Sequence, residues 1–188
     1  MLPESIGPYS IVEELGRGGM GTVYLAQRDG KSFALKLAHE QLAAAPNMVA
    51  RFLREAEVGR TIDHPNVVRT LDAGDHEGLP YLVMELVEGR DLRQHLDALG
   101  RIPEALLREV ACQAAQGLAA IHAAKVVHRD IKPENILITD TNEIRLMDLG
   151  VAALQEATTM LTREGAFAGS LLYAAPEQFR SEPVTPSE

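Results

Sequence analysis

The sequence predicts an α+β chain: a small antiparallel β-rich lobe carrying one helix, hinged to a second, helical lobe. Three observations carry this. Apolar and polar residues alternate in part through segments 9–15, 22–26 and 32–37, with glycine-containing turns between them, as half-buried strands do. From 46 to 62 the apolar period changes to that of a helix, and a long Ala/Leu-rich run from 104 to 125 repeats it. Between these helical stretches, near Glu85 to Gly89, strand-like sequence gives way to helical sequence.

Each element has its own warrant. The first strand, 9–15, runs into a Gly-rich turn and then into Thr22-Val23-Tyr24-Leu25-Ala26. Asp29-Gly30 between two strand-like runs is a hairpin signal. In the helix that follows, Val49, Phe52, Leu53, Ala56 and Ile62 share one face, and His64-Pro65 stops it. Strands around 67–71 and 81–86 complete the sheet. A short helix is expected over 91–99 and a long one over 104–125, entered through Pro103. Val126-Val127 reads as a short buried strand before a polar loop, 128–135. Ile136-Leu137-Ile138 and Ile144-Arg145-Leu146-Met147 then form a hairpin turned at Asp140-Thr141-Asn142. From 148 onward periodic stretches are few and hydroxyls several.

Composition narrows the function classes. With 188 residues, 46% hydrophobic and 24% charged, the chain can bury a sizeable core and is not of the disordered class. Lys and Arg number 18 against 27 Asp and Glu, a formal charge of −9 with no basic cluster, so no nucleic-acid partner is expected. The single cysteine, Cys112, excludes an intrachain disulfide and a multi-cysteine zinc site, and fits a reducing compartment. No apolar run approaches the roughly 18 residues of a membrane span. The first residues lack the basic start and apolar stretch of a signal peptide. A cytoplasmic globular protein with no membrane segment is expected.

Gly16-Arg17-Gly18-Gly19-Met20-Gly21 matches G-x-G-x-x-G, which two kinds of nucleotide site share. A dinucleotide site needs the last glycine to open a helix whose N-terminus holds the pyrophosphate. Here Gly21 opens a β-branched, aromatic run that reads as strand. A strand–loop–strand flap lying over phosphates is therefore the better reading, and the absence of G-x-x-x-x-G-K-[ST] removes a P-loop enzyme. Lys36 follows on the next strand among apolar neighbours, as a phosphate-binding lysine would. Helix geometry places Glu55 inside the apolar arc that holds Phe52, and Glu57 outside it. A carboxylate on a buried helix face is costly unless paired, so a Glu55–Lys36 ion pair is expected.

His128-Arg129-Asp130-Ile131-Lys132-Pro133-Glu134-Asn135 is the densest run of chemistry, although Asp, Asn and Pro are also common in plain surface turns. Thirteen residues past Asn135, Asp148-Leu149-Gly150 ends a strand with a carboxylate. Two oxygen ligands, Asn135 and Asp148, brought together by a hairpin suit Mg²⁺, which takes one or two protein ligands plus phosphates and water. That leaves Asp130 free to accept a proton from a hydroxyl and Lys132 to neutralise a transferred phosphoryl group.

With these motifs in this order, the chain resembles the eukaryotic-type serine/threonine protein kinases, in the style of their bacterial members. The residues that carry the resemblance are Gly16, Gly18, Gly21 and Val23, Ala34-Leu35-Lys36, Glu55, the run from His128 to Asn135, Asp148-Leu149-Gly150 and Ala175-Pro176-Glu177. The resemblance implies a bilobal protein-kinase-like fold, with residues 1–86 as an antiparallel β N-lobe bearing one regulatory helix. Residues 87–188 would be the hinge and a partial helical C-lobe with catalytic loop and activation segment. It implies ATP and Mg²⁺ as cofactors and Ser/Thr-bearing proteins as substrates. ATP would meet Leu15, Gly16, Gly18, Gly21, Val23, Ala34, Lys36 and Glu55, and the hinge backbone near Glu85 and Val87, with Met84 as gatekeeper. Asp130 would be the base, assisted by Lys132 and Asn135, with Asn135 and Asp148 on the metal. Ser170 would bridge Asp130 and Lys132, and Thr158, Thr159 and Thr162 would be candidate regulatory phosphorylation sites, as Arg129 suggests. His128 and Cys112 would be packing residues.

The departures are three. Leu149 stands where phenylalanine is commoner, and Gly59 is smaller than the apolar residue that many relatives use to support the regulatory helix. The sequence also stops shortly after Ala175-Pro176-Glu177, where the family continues into large helices. Each large apolar side chain left unburied forfeits about 1.5–3 kcal/mol, so a chain without those helices is expected to be poorly stable or inactive alone. The leading reading is an ATP:protein phosphotransferase. An inactive truncated fragment or nucleotide-binding scaffold is the alternative, and small-molecule phosphotransfer is disfavoured by Lys132-Pro133 and Ala175-Pro176-Glu177.

Overall fold

The computed structural model describes residues 2–43, 46–148 and 172–173, with the backbone alone at 42, 43, 46–48, 51 and 55. Two compact units are present. The first comprises the described residues to Arg60 together with Arg69–Val87; the second comprises Thr61–Val68 and the described residues from Glu88.

The first unit is built on a six-stranded antiparallel sheet in the order β1-β2-β3-β4-β6-β5. Its strands are β1 (Ser5–Ile6), β2 (Tyr9–Arg17), β3 (Gly21–Arg28), β4 (Lys31–Ala38), β5 (Thr70–His76) and β6 (Leu79–Glu85). The β3–β4 hairpin turns at Asp29 and Gly30, with φ of 51° and 74°. Two successive left-handed residues are what a two-residue hairpin loop of type I′ requires, and Asp-Gly supplies them at low cost. Helices α1 (Glu40–Ala43) and α2 (Pro46–Thr61) connect β4 to β5.

Strand alternation gives this sheet two apolar faces. Ile6, Tyr9, Tyr24, Ala26, Leu35, Tyr81 and Val83 pack on one, where the Tyr9 ring meets Phe33 and Tyr81 edge-on. Ala38 and Leu82 lie on the other and receive Phe52 and Ala56 of α2.

The strand expected from 67 begins only at Thr70. Val67 is instead taken into the second unit, where it forms a parallel bridge to Leu146. The Leu146 N–H donates to Asn66 O and the Val68 N–H to Leu146 O, both at 2.9 Å. These bonds satisfy the backbone that the sheet of the first unit would otherwise have used.

In the second unit a three-stranded sheet runs β7 (Arg90–Asp91), β8 (Ile136–Ile138), β9 (Ile144–Leu146), all antiparallel. Asp91 also caps α3 (Leu92–Leu99): its carboxylate accepts from the Gln94 N–H, and the Gln94 side chain accepts from the Asp91 N–H. This reciprocal box satisfies two of the donors that a helix start leaves open. Helix α4 (Glu104–Ala123) buries Val110, Gly117 and Ile121. Cys112, two residues and so about 200° round from Val110, is exposed rather than core. The expected strand at Val126-Val127 does not form, because Lys125 turns left-handed (φ 61°) and the Val126 N–H closes back on Ile121 O.

Candidate active site

The first unit carries the glycine loop and the buried lysine. The loop leaves β2 at Gly16-Arg17 and enters β3 at Gly21, and the Gly18 N–H closes it by donating to Gly21 O at 2.9 Å. Gly21 is required by close approach, since a Cβ there would overlap the Leu37 carbonyl of β4. Behind the loop, the His39 N–H donates to Met20 O, and the His39 Nε2 lies 3.1 Å from the buried Thr22 hydroxyl. His39 thus ties the far end of β4 to the root of the loop, a role that no sequence motif suggested.

Lys36 is 6% exposed and registers with Val23 on β3 and Leu82 on β6. Strand alternation puts it with Ala34 and Ala38 on the face that α2 covers. Glu55 lies on α2, but its side chain, and with it the expected ion pair, is outside what is described. Val23 and Ala34 are half-buried, while Leu15 is exposed. Met84 pairs with Ala34 in the β4–β6 ladder. At the end of β6 the Glu85 N–H donates to Arg69 O, and its carboxylate accepts from the Arg69 N–H, both at 3.0 Å. Val87, two residues on, ends the first unit half-buried.

The second unit gathers the polar loop around Asp130. Pro133–Asn135 forms a single 3-10 turn, begun by Lys132 in extended backbone and closed by the Asn135 N–H on Lys132 O. The buried Asn135 side chain donates to Asp130 O at 2.7 Å and to Asp130 Oδ2 at 2.8 Å. The Lys132 ammonium meets the same Oδ2 at 2.8 Å. Two donors therefore converge on one carboxylate oxygen, with Asp130 only 25% exposed. Charge-assisted bonds of this kind are stronger than neutral ones and fix the direction of the carboxylate.

His128 sits beneath, 1% exposed, with Nε2 donating to Met147 O at 2.9 Å and Nδ1 accepting from the Asp130 N–H at 3.4 Å. Burial pushes its pKa below the usual histidine value. A neutral imidazole with both nitrogens satisfied is a brace between two loops, not a proton carrier. The Met147 N–H in turn donates to Asn135 O at 2.9 Å, which sets Met147, the residue before Asp148, against the turn that carries Asn135. Arg129 and Asp148 both have left-handed backbone, φ 66° and 50°. Non-glycine residues adopt it at some cost, which functional sites commonly bear.

Leu149, Gly150, Thr158, Thr159, Thr162, Ser170 and Ala175-Pro176-Glu177 lie outside the described residues. Besides His39, two features escaped sequence reasoning. Arg93 on α3 donates from Nε to Glu134 Oε1 at 3.2 Å and from Nη2 to the Tyr173 hydroxyl at 2.7 Å. The buried Asn66 side chain donates to Gln113 Oε1 and Ile144 O, both at 3.0 Å, pinning 61–68 to α4 and β9. His64-Pro65 reads as a helix stop and Asn66 carries no motif, although an asparagine between a proline and two valines is a signal of a buried amide.

Comparison with known proteins agrees with this geometry. The chain is 41% identical over 184 residues to a probable serine/threonine-protein kinase, pknA2, of Bifidobacterium longum, covering 95% of this chain and 24% of that protein. It is 37% identical over 182 residues to the serine/threonine-protein kinase PknB of Mycobacterium leprae, covering 94% and 29%. The chain thus spans about a quarter of the length of these curated relatives. Among solved structures it resembles the PknI kinase domain of Mycobacterium tuberculosis, with a TM-score of 0.73 and 28% identity over 100% of this chain and 78% of that one. The pattern of the protein kinase domain matches residues 9–188, the glycine loop, Lys36 and the Asp130 loop included, and so the chain belongs to the protein kinase family.

Proposed function

We propose that this chain is the phosphoryl-transfer module of a serine/threonine protein kinase, passing the γ-phosphoryl group of ATP to Ser/Thr hydroxyls of proteins. The observation that carries this is the Asp130 carboxylate, with Oδ2 engaged by Lys132 and Asn135 at 2.8 Å each. A carboxylate held this way keeps its second oxygen, Oδ1, for a proton from the acceptor hydroxyl. A positioned base of this kind contributes about 10²–10⁴-fold. Lys132, at Asp130's side, supplies positive charge to the phosphoryl group in transit.

In the first unit, Gly16, Gly18 and Gly21 let the loop backbone lie close over phosphates, and Lys36, shielded from water, acts on them with little screening. Leu15, Val23 and Ala34 supply apolar contact to the base, Glu85 and Val87 supply backbone groups to its edge, and Glu55 orients Lys36. Among the described residues no group of three or more His, Cys, Asp or Glu could hold a metal by itself. Asn135 and Asp148 offer two hard oxygen donors instead, the set that suits Mg²⁺ shared with phosphates. Bound Mg²⁺ would supply charge neutralisation at the phosphate oxygens. No helix among the described residues is long and apolar enough to cross a membrane.

The test is transfer of labelled γ-phosphate from ATP to a mixture of protein acceptors, comparing the chain with Asp130→Asn. Label on serine and threonine that Asp130→Asn abolishes is the expected result. Thermal stabilisation by ATP and Mg²⁺ without any transfer would make the chain a nucleotide-binding scaffold and overturn the proposal.

A further inference from the structure

Arg93 joins three pieces of the second unit. It stands in the first turn of α3, reaches Glu134 Oε1 with Nε at 3.2 Å, and reaches the Tyr173 hydroxyl with Nη2 at 2.7 Å. Glu134 is the middle residue of the turn whose last residue, Asn135, holds Asp130. The other Glu134 oxygen, Oε2, is buried with no hydrogen-bond partner among the described residues. Arg93 is therefore the described cation that compensates this carboxylate, and it does so one residue from the Asp130 clamp. The start of α3 is itself fixed to the strand that follows this turn, because Asp91 pairs with Leu137 in the β7–β8 ladder.

The arrangement suits arginine in particular. A guanidinium is a planar fork that serves two acceptors in fixed directions, whereas an ammonium is a point charge that reproduces one contact but not the angle between two. With side chains 37% and 43% exposed, the Arg93–Glu134 pair contributes little to stability, so what it supplies is placement.

Resting on the kinase reading above, we infer that Arg93 is a positioning residue for the protein acceptor. It sets the Glu134 turn, and through Asn135 the direction of Asp130, while tethering Tyr173 beside that turn. Lys36 and the other residues proposed for the nucleotide lie in the first unit, except Asn135 and Asp148. The effect of Arg93 therefore falls on the acceptor and on turnover, not on ATP affinity.

The test is steady-state kinetics of the full chain with ATP and a protein acceptor varied separately. Arg93→Ala is expected to raise the acceptor KM or lower kcat by about ten-fold with the ATP KM unchanged. Arg93→Lys is expected to recover part of this loss. Tyr173→Phe should make a following Arg93→Ala cost less than it does alone, because the two then share one lost contact. A parallel rise in the ATP KM, full recovery by lysine, or no change at all would overturn the inference while leaving the kinase reading intact. Absence of transfer by the unmodified chain would sink that reading and the inference with it.

Discussion

The Asn135 side-chain nitrogen donates to two oxygens of one residue, Asp130 O at 2.7 Å and Asp130 Oδ2 at 2.8 Å. Main chain and side chain of the proposed base are thus held by the same amide. Asn135→Ala removes both bonds and takes this donor from a part-buried carbonyl. Stability is expected to fall by about 1–3 kcal/mol, with kcat falling more steeply than the ATP KM rises. Asn135→Asp is expected to be worse, since it sets a second carboxylate against Asp130. Urea unfolding and steady-state kinetics read the two effects separately.

Gly21 makes a sharper prediction about the glycine loop. A Cβ at this position meets the Leu37 carbonyl, a backbone atom that cannot swing aside. Gly21→Ala is expected to destabilise by about 1–3 kcal/mol by forcing β3 from β4. Gly16→Ala and Gly19→Ala meet nothing within 4 Å and should leave the melting temperature nearly unchanged. Thermal melts of the three variants order them.

His128 couples stability to pH. Burial lowers its pKa in the folded chain, so the unfolded chain, with an ordinary value near about 6.5, takes up the proton first on acidification. Its contribution is therefore complete above about pH 6.5 and is lost as pH falls through that value toward the folded pKa. A variant without the imidazole, His128→Gln, should lose this part of the slope between pH 7 and 5. The difference between the two stability–pH curves isolates it from the other histidines.

Asn66 is the polar plug of the second unit. Asn66→Ala strips donors from Ile144 O and Gln113 Oε1, and about 1–3 kcal/mol of stability should go with them. Asn66→Asp keeps the size but cannot donate to the buried Ile144 carbonyl, so it should cost at least as much. A shift of the urea midpoint at constant m-value is the expected readout.

Much of this was legible in the sequence wherever the signal was local. The β3–β4 hairpin was announced by Asp29-Gly30, and the Pro46–Thr61 helix by the spacing of Phe52 and Ala56. Lys36 betrayed its burial through its apolar neighbours. The elements that escaped are those with no period to read: β1 and β7 are two residues each, and α1 is a single turn. Val126-Val127 misled because two β-branched residues suffice for propensity but not for a ladder. Cys112 misled because residue type was weighed without its angle from Val110. Arg93 could not be read, since its partners lie 41 and 80 residues away and nothing in a single chain's pattern ties such positions.

The parallel bridge between Val67 and Leu146 bears on how the chain assembles as it is made. The donor Asn66 and the acceptor Ile144 are 78 residues apart, so several seconds of synthesis separate them. During that interval the first unit can complete its six strands, because β5 and β6 follow directly, while residues 61–68 wait without the Leu146 partner of Val67. A newborn chain paused before β9 would therefore present a folded sheet beside a short sticky segment, the state in which a chaperone has most to do.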